Sequence, residues 1–145
     1  MHDLPRQLTA EELAELFEGR TALVARLAER DDPLEAADDV IAGLSEAEKL
    51  EALNAHPAIG ARKLSARSAA EQGADADPGT LAELDRLNRE YEQRFGFRFV
   101  VFVDRRPKSE IVPMLRERLE RTREQELDTA LRELVAIARD RWERR

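Results

Sequence analysis

The sequence is dominated by signals that begin an α-helix. In a capping box, a Ser or Thr is followed three residues later by Glu or Gln, and the two side chains satisfy backbone N–H groups at the start of the helix. Four pairs have this pattern: Thr9 with Glu12, Ser45 with Glu48, Ser68 with Glu71, and Thr122 with Gln125. Asp32 with Glu35 is a variant in which Pro33 would be the first helical residue, and Asp77 precedes Pro78 in the same way. These signals predict a chain of successive helices.

The apolar residues that follow these starts recur every three or four positions, which is the spacing of one helix face. The predicted buried stripes are Leu13, Leu16 and Phe17; Leu23, Val24 and Leu27; Ala37, Val40, Ile41 and Leu44; Leu50 and Leu53; Leu81, Leu84, Leu87, Tyr91 and Phe95; Ile111, Met114, Leu115 and Leu119; and Leu127, Leu131, Leu134, Val135, Ala138 and Trp142. Gly96 is suited to end the longest of these helices. Pro113 is expected in the first turn of its helix, because proline is tolerated there.

One segment interrupts this helical pattern. Residues 97–103 read FRFVVFV, which is typical of an extended, β-type stretch. Because buried backbone groups must be paired, its amides and carbonyls are expected to pair with a loop or with a ligand. The sequence therefore predicts an all-α fold. A single compact domain over residues 1–145 would contain about seven or eight helices and one extended segment near 97–103.

Composition excludes several classes of protein. The net charge of −7 disfavours binding to a phosphate backbone, so no nucleic-acid partner is expected. The chain contains no cysteine, which excludes disulfides, thiolate nucleophiles and cysteine-based zinc sites and fits a cytoplasmic location. The longest apolar run, residues 99–103, is far too short to span a bilayer, so no membrane partner is expected.

Few residues are suited to chemistry. His56 is expected at a helix end, where Pro57 forces it out of helical geometry. It is either a histidine that interacts with the helix dipole or an acid–base group. Ser68, Glu71 and Gln72 form either a capping box or an array of donors and acceptors for a polar ligand. The cluster 105–108 is either a solvated face or an anion site. No metal-ligand spacing or phosphate-binding glycine loop is present, so we expect neither a metal nor a cofactor.

Four motifs resemble one known family. They are HPAIG at 56–60, SAAEQ at 68–72, LNREYEQRFGFRFVVFV at 87–103 and KSEI at 108–111. Together they resemble the OHCU decarboxylases, which act on 2-oxo-4-hydroxy-4-carboxy-5-ureidoimidazoline (OHCU) in the pathway from urate to allantoin. The resemblance implies an all-helical, usually dimeric carboxy-lyase of purine catabolism whose partner is this small-molecule substrate.

The resemblance also assigns residues. It implies that His56 and Glu71 are catalytic. The substrate-binding residues it implies are Pro57, Ser68, Gln72, Phe99, Val100, Val101, Phe102, Val103 and Arg106. Phe99 to Val103 would bind through the main chain, with alternate side chains of this segment facing the core.

Three features depart from the family. Its early Ser-Pro-Trp element is replaced by Arg20-Thr21-Ala22, the linker between His56 and Ser68 is short, and its arginine after the Phe-Val stretch falls on Asp104. Arg105 or Arg106 would have to replace that arginine. Asp104 therefore favours an alternative, in which the chain is a non-catalytic helical module that binds a small ligand or partner protein with a decayed active site.

Overall fold

The computed structural model describes residues 8–56 and 78–144. These ranges contain seven helices and no strand, which confirms the all-α class. The helices are α1 (Ala10–Phe17), α2 (Ala22–Ala28), α3 (Ala37–Ala42), α4 (Glu46–Ala55), α5 (Pro78–Phe95), α6 (Lys108–Leu119) and α7 (Arg123–Arg144). None of them is both long and apolar enough to cross a membrane.

Three of the predicted capping boxes are present. Thr9 and Ser45 each accept a hydrogen bond from the backbone N–H of the glutamate three residues later, and each glutamate accepts from the backbone N–H of its cap. Thr122 and Gln125 make the same reciprocal pair at 3.1 Å in both directions. The pair of Ser68 and Glu71 lies outside the described residues. Helix α5 begins at Pro78, as the proline at this position predicts.

Two predicted helix starts are wrong. The backbone N–H of Ala36 donates to the Asp32 carbonyl at 2.9 Å, which closes a turn, and α3 begins only at Ala37. Pro113 lies inside α6 rather than in its first turn, because that helix already begins at Lys108. The proline is tolerated at this interior position with its ring exposed to solvent, although it cannot donate an intrahelical hydrogen bond.

The chain divides into two compact units, and the organisation of residues 1–145 as one domain stays a prediction. The first unit contains α1 to α4 and the end of α7 from Leu131. Its core is formed by the predicted apolar faces: Leu13, Leu16, Phe17, Leu23, Val24, Leu27, Ala37, Val40, Ile41 and Leu53, with Leu131, Leu134, Val135 and Ala138 from α7. The apolar spacing therefore predicted these buried residues correctly, although Leu50 of the predicted stripes is only half-buried.

The second unit contains α5, α6 and the start of α7 up to Ala130. Leu84, Leu87, Tyr91 and Phe95 are buried on α5, and Ile111 and Leu115 are buried on α6. Leu81, which belongs to the same predicted stripe, is 40% exposed. Gly96 ends α5 in the left-handed region at φ 83°, where a residue without Cβ is favoured. The predicted extended segment follows directly, and residues 98–103 belong to neither helix nor strand.

Candidate active site

His56 is the residue that ends α4. Its N–H donates to the carbonyl of Leu53 at 3.2 Å, and its own backbone is extended at φ −80° and ψ 136°. This geometry is the one that the following proline favours, so the predicted position of His56 is confirmed. The side chain is only 7% exposed. An imidazole held in this way is fixed in position rather than free to sample solvent.

Two contacts of the first unit fix the end of α4. The carboxylate of Glu51 accepts from the backbone N–H of Ala22 at 2.8 Å, which satisfies a donor at the start of α2. A Cβ built on Gly19 would lie 3.1 Å from Cβ of Ala55, the residue before His56. The close approach at Gly19 therefore depends on the absence of a side chain there. Arg20-Thr21-Ala22, which stands where the family has its Ser-Pro-Trp element, belongs to this region of the first unit.

The segment of residues 98–103 in the second unit is largely buried. Phe99, Val100, Val101 and Val103 are each at most 6% exposed, whereas Phe102 is half-buried. Both alternate sets of side chains are thus largely buried, and which of them would face a ligand stays a prediction. A segment that is packed on more than one side has limited freedom to rearrange.

Arginine side chains pair with the carbonyls of this segment. Nη1 of Arg118 donates to the Val100 carbonyl at 2.8 Å. Arg106 donates from Nε to the Val103 carbonyl at 2.8 Å and from Nη2 to the Phe102 carbonyl at 2.5 Å. These three carbonyls are therefore paired within the protein. Those of Phe102 and Val103 pair with the adjoining loop, which is one of the two expected kinds of partner, and that of Val100 pairs with a helix.

Arg118 belongs to a buried polar cluster of the second unit. Its Nε lies 2.7 Å from Oε1 of Glu126, and the hydroxyl of Tyr91 donates to the same oxygen at 2.6 Å. Nη1 of Arg121 lies 2.8 Å from Oε2 of Glu126. Glu126 is completely buried, so its charge is compensated by these donors. Burial, and then the hydrogen bond to Glu126, raise the pKa of Tyr91 well above its usual range.

Aromatic contacts connect this cluster to the segment. The guanidinium of Arg118 lies 4.6 Å from the centre of the Phe99 ring, within the range of a cation–π interaction. The rings of Tyr91 and Phe99 meet edge to face with their centres 5.3 Å apart. Sequence reasoning did not identify Arg118, Glu126 or Tyr91 as a group, because 35 residues separate Tyr91 from Glu126.

A turn with unusual backbone follows the segment. Asp104 and Arg105 both lie in the left-handed region, at φ 51° and 63°, where residues other than glycine are uncommon. Both side chains are exposed. The two hydrogen bonds of Arg106 to the preceding carbonyls help to hold this turn. Of the predicted basic cluster, Lys108 is buried rather than solvated.

The structure places the predicted site residues in three groups. His56 lies in the first unit. Phe99 to Val103 and Arg106 lie together in the second unit, where Arg106 contacts the segment directly. Pro57, Ser68, Glu71 and Gln72 lie outside the described residues, and their roles stay predictions. Within residues 8–56 and 78–144, no group of His, Asp and Glu side chains is arranged to hold a metal ion.

The helices and the buried histidine at the end of α4 define a small all-α protein with a candidate acid–base residue. A family model described as OHCU decarboxylase matches residues 2–143. The chain therefore belongs to the OHCU decarboxylase family, which confirms the resemblance that the motifs indicate.

Three curated proteins are similar in sequence. The 2-oxo-4-hydroxy-4-carboxy-5-ureidoimidazoline decarboxylase of Haloferax volcanii is 31% identical over 128 residues, covering 79% of this chain and 76% of that protein. The decarboxylase of the same name from Halalkalicoccus jeotgali is 32% identical over 104 residues, covering 68% and 59%. The uric acid degradation bifunctional protein PucL of Bacillus subtilis is 34% identical over 98 residues, covering 64% and 20%. The chain thus spans less than two thirds of the length of the last two.

Two solved structures share the fold. The crystal structure of OHCU decarboxylase in the presence of (S)-allantoin superimposes with a TM-score of 0.76 at 24% identity, covering 90% of this chain and 94% of that one. The crystal structure of (S)-allantoin synthase superimposes with a TM-score of 0.67 at 25% identity, covering 91% of this chain and 47% of that one.

Proposed function

We propose that this protein decarboxylates OHCU to (S)-allantoin without a cofactor, as a carboxy-lyase of urate degradation. The observation that carries the proposal is His56, held almost fully buried at the extended end of α4 in a chain that the OHCU decarboxylase model matches over residues 2–143. Relatives named for this decarboxylase support the same substrate.

The chemistry of this substrate explains why a cofactor is unnecessary. The carboxylate lies β to a ring C=N bond, so the ring accepts the electron pair as CO₂ leaves, and an external electron sink is not required. The protein then has to orient the substrate, exclude water and deliver one proton to one face of the ring. His56 serves as the acid–base group that relays a proton from the C4 hydroxyl or carboxyl region to the carbon that becomes tetrahedral in (S)-allantoin.

The remaining residues orient the substrate. Glu71 accepts from a ring or ureido N–H, while Ser68 and Gln72 satisfy the other amide-like groups. Pro57 and the main chain of residues 99–103 line the substrate. Because the carbonyls of Val100, Phe102 and Val103 already accept hydrogen bonds, this main chain recognises the ligand through N–H groups. Nη1 of Arg106 is the donor that this residue contributes to the substrate, since its Nε and Nη2 bind carbonyls of its own loop.

The decisive experiment combines product formation with one substitution. The pure protein is mixed with freshly generated OHCU, and (S)-allantoin is followed by circular dichroism. The wild-type protein is expected to form the single enantiomer, and His56→Asn to fold normally but lose about 10²–10⁴-fold in kcat, as for loss of a general acid–base. His2→Asn is the matched control, since His2 is the only other histidine. Normal turnover by a folded His56→Asn protein would return His56 to a structural role.

A second candidate function is favoured by Asp104. Where the family has an arginine this chain has an exposed carboxylate, and a decayed site that binds a small ligand without turnover is the alternative. Binding of (S)-allantoin to the wild-type protein without any formation of allantoin from OHCU would select this alternative.

The family also supports proposals about the oligomeric state, the location and the partners of the protein. The protein is a homodimer, and it acts in the cytoplasm on a small-molecule substrate, without a nucleic-acid or membrane partner. Sedimentation of the purified protein at several concentrations measures the first of these.

A further inference from the structure

Within the described part of the chain, no strand lies beside the segment of residues 98–103, yet its backbone is held in one arrangement. The carbonyl of Val100 is held from α6 by Arg118, and the carbonyls of Phe102 and Val103 are held from the adjoining turn by Arg106. A peptide group is planar, with its C=O and the following N–H pointing in opposite directions. A guanidinium that fixes the Val100 carbonyl therefore also fixes the direction of the Val101 N–H.

Arg118 is itself immobilised. Its Nε is paired at 2.7 Å with Glu126, which is completely buried, and Glu126 also accepts from Tyr91 and Arg121. The Phe99 ring faces the guanidinium, and the Arg118 side chain is buried as well. The position of the Val100 carbonyl is thus determined by a group that has little freedom of its own.

We propose that Arg118 is a positioning residue for substrate binding, which fixes the Val100–Val101 peptide so that its N–H is presented to the substrate. The proposal rests on the proposed function, because residues 99–103 line the substrate there. An N–H group recognises an acceptor, so the part of the substrate that it contacts is a carbonyl or carboxylate oxygen. Arg118 does not touch the substrate and acts only through the main chain.

The chain offers a matched control for this proposal. Arg121 contacts the same carboxylate as Arg118, at 2.8 Å, but its other hydrogen bond goes to Thr129 rather than to the segment. Replacing either arginine weakens the cluster around Glu126, whereas only replacement of Arg118 releases the Val100 carbonyl. A difference between the two variants therefore separates positioning from stability.

The experiment compares Arg118→Lys, Arg118→Met and Arg121→Met in the circular dichroism assay with OHCU, together with the Tm of each variant. We expect both Arg118 variants to raise KM about tenfold with kcat changed by less than about threefold, because binding is lost rather than chemistry. Arg121→Met is expected to lower Tm and to leave KM unchanged. Lysine keeps the charge beside Glu126 but lacks the planar guanidinium that bonds to two partners. Arg118→Lys should therefore have a Tm closer to the wild-type value than that of Arg118→Met, while its KM stays raised.

Two results would overturn the proposal. One is an Arg118→Lys protein with wild-type KM, and the other is an Arg121→Met protein whose KM rises as much as that of Arg118→Met. If the Arg118 variants fail to fold, Tyr91→Phe must raise KM above that of Arg121→Met, because Tyr91 donates to Oε1 of Glu126, the oxygen that holds Nε of Arg118, whereas Arg121 donates to Oε2. An inactive wild-type protein contradicts the proposed function instead, and titration of Arg118→Lys with (S)-allantoin then tests the positioning role through binding alone.

Discussion

The phenol of Tyr91 provides a direct test of the buried cluster. Its hydroxyl donates to Glu126 at 2.6 Å, and the residue is completely buried. Burial is the larger cause, and the hydrogen bond to Glu126 the second, of a pKa far above the usual range of a tyrosine. We expect the folded protein to keep this proton at pH values at which an exposed tyrosine has lost it.

The effect of Tyr91 on the pH dependence of the free energy of unfolding follows from proton linkage. A raised pKa in the folded state means that the contribution of Tyr91 to stability is fully present below the unfolded pKa, about 10, and is lost as the pH rises above it. Above that pH the unfolded chain releases a proton that the folded chain retains. The free energy of unfolding should therefore fall by about 1.4 kcal/mol for each pH unit from this residue.

Two measurements test this expectation. The chain has one tyrosine, so phenolate absorbance in the near ultraviolet reports Tyr91 without interference from another phenol. Urea unfolding at several pH values on either side of about 10 gives the slope of stability against pH. Tyr91→Phe is the control, since the two proteins differ in no other titratable group. This variant should lack the tyrosine part of the slope and be less stable at neutral pH by about 1–3 kcal/mol, for loss of a hydrogen bond to a charged group.

The reasoning is refuted if phenolate appears near pH 10 while the protein is still folded. It is also refuted if wild type and Tyr91→Phe lose stability with the same slope above that pH. Either result would mean that Tyr91 is accessible to water, and that Glu126 is not held by this phenol.

Two further substitutions test the first unit. Gly19→Ala should push on Ala55 and lower the activity of the proposed catalytic histidine beside it, whereas Gly43→Ala, whose new Cβ would meet its nearest atom at 3.5 Å, should leave turnover unchanged; equal kinetics of the two variants would show that the close approach is irrelevant. Arg141→Met should lower stability by about 1–3 kcal/mol, because the buried guanidinium donates to the Leu16 carbonyl at 2.9 Å and that carbonyl would lose its partner; an unchanged urea midpoint would contradict this.

The helices were predictable because their signals are local. A capping box needs two residues three positions apart, and Thr9, Ser45 and Thr122 each begin a helix in this way. The Asp32 signal failed because the local pattern satisfies a single turn as well as a helix start, and the chain closes a turn there. Leu81 was predicted to be buried but is exposed, because an apolar stripe at the first turn of a long helix can extend beyond the core.

The buried charges were not predictable from spacing. Periodicity assigns apolar residues to the core, and on α7 it named Leu127 and Trp142 as buried. Their neighbours Glu126 and Arg141 are buried instead, and Leu127 and Trp142 are only half-buried. A charge enters the interior only where partners compensate it. Arg118 and Arg121 lie only 8 and 5 residues from Glu126, but Tyr91 lies 35 residues from it, and Arg141 pairs with Glu18 near the start of the chain. No rule of local sequence contains that information.

The candidate site also has features that the sequence predicts and features that it does not. The position of His56 was predictable, because Pro57 dictates the backbone of the residue before it. The burial of residues 99–103 was predictable from their composition, but the pairing of their carbonyls was not, since Arg118 lies 18 residues from Val100. The expectation named a loop or a ligand as the partner of those carbonyls, and a side chain from a helix, Arg118, was not among them.

Arginine gives this protein another way to satisfy backbone carbonyls. A helix leaves its last carbonyls without intrahelical partners, and glycine-based caps or water usually satisfy them. Here Arg141 donates to the carbonyl of Leu16 near the end of α1, and Arg123 donates to that of Phe95 at the end of α5. Arg118 does the same for Val100, in a segment without helix or strand.

This use of arginine has a cost that the acidic composition offsets. A buried guanidinium requires a compensating carboxylate, and Arg118 and Arg141 have one each, in Glu126 and Glu18. Arg118 and Glu126 connect the carbonyl of Val100, in the irregular segment, to α6 and α7. This backbone is therefore fixed although no strand of the described residues pairs with it. A main chain held in this way presents its N–H groups in constant directions, which is the property that a substrate-lining segment needs.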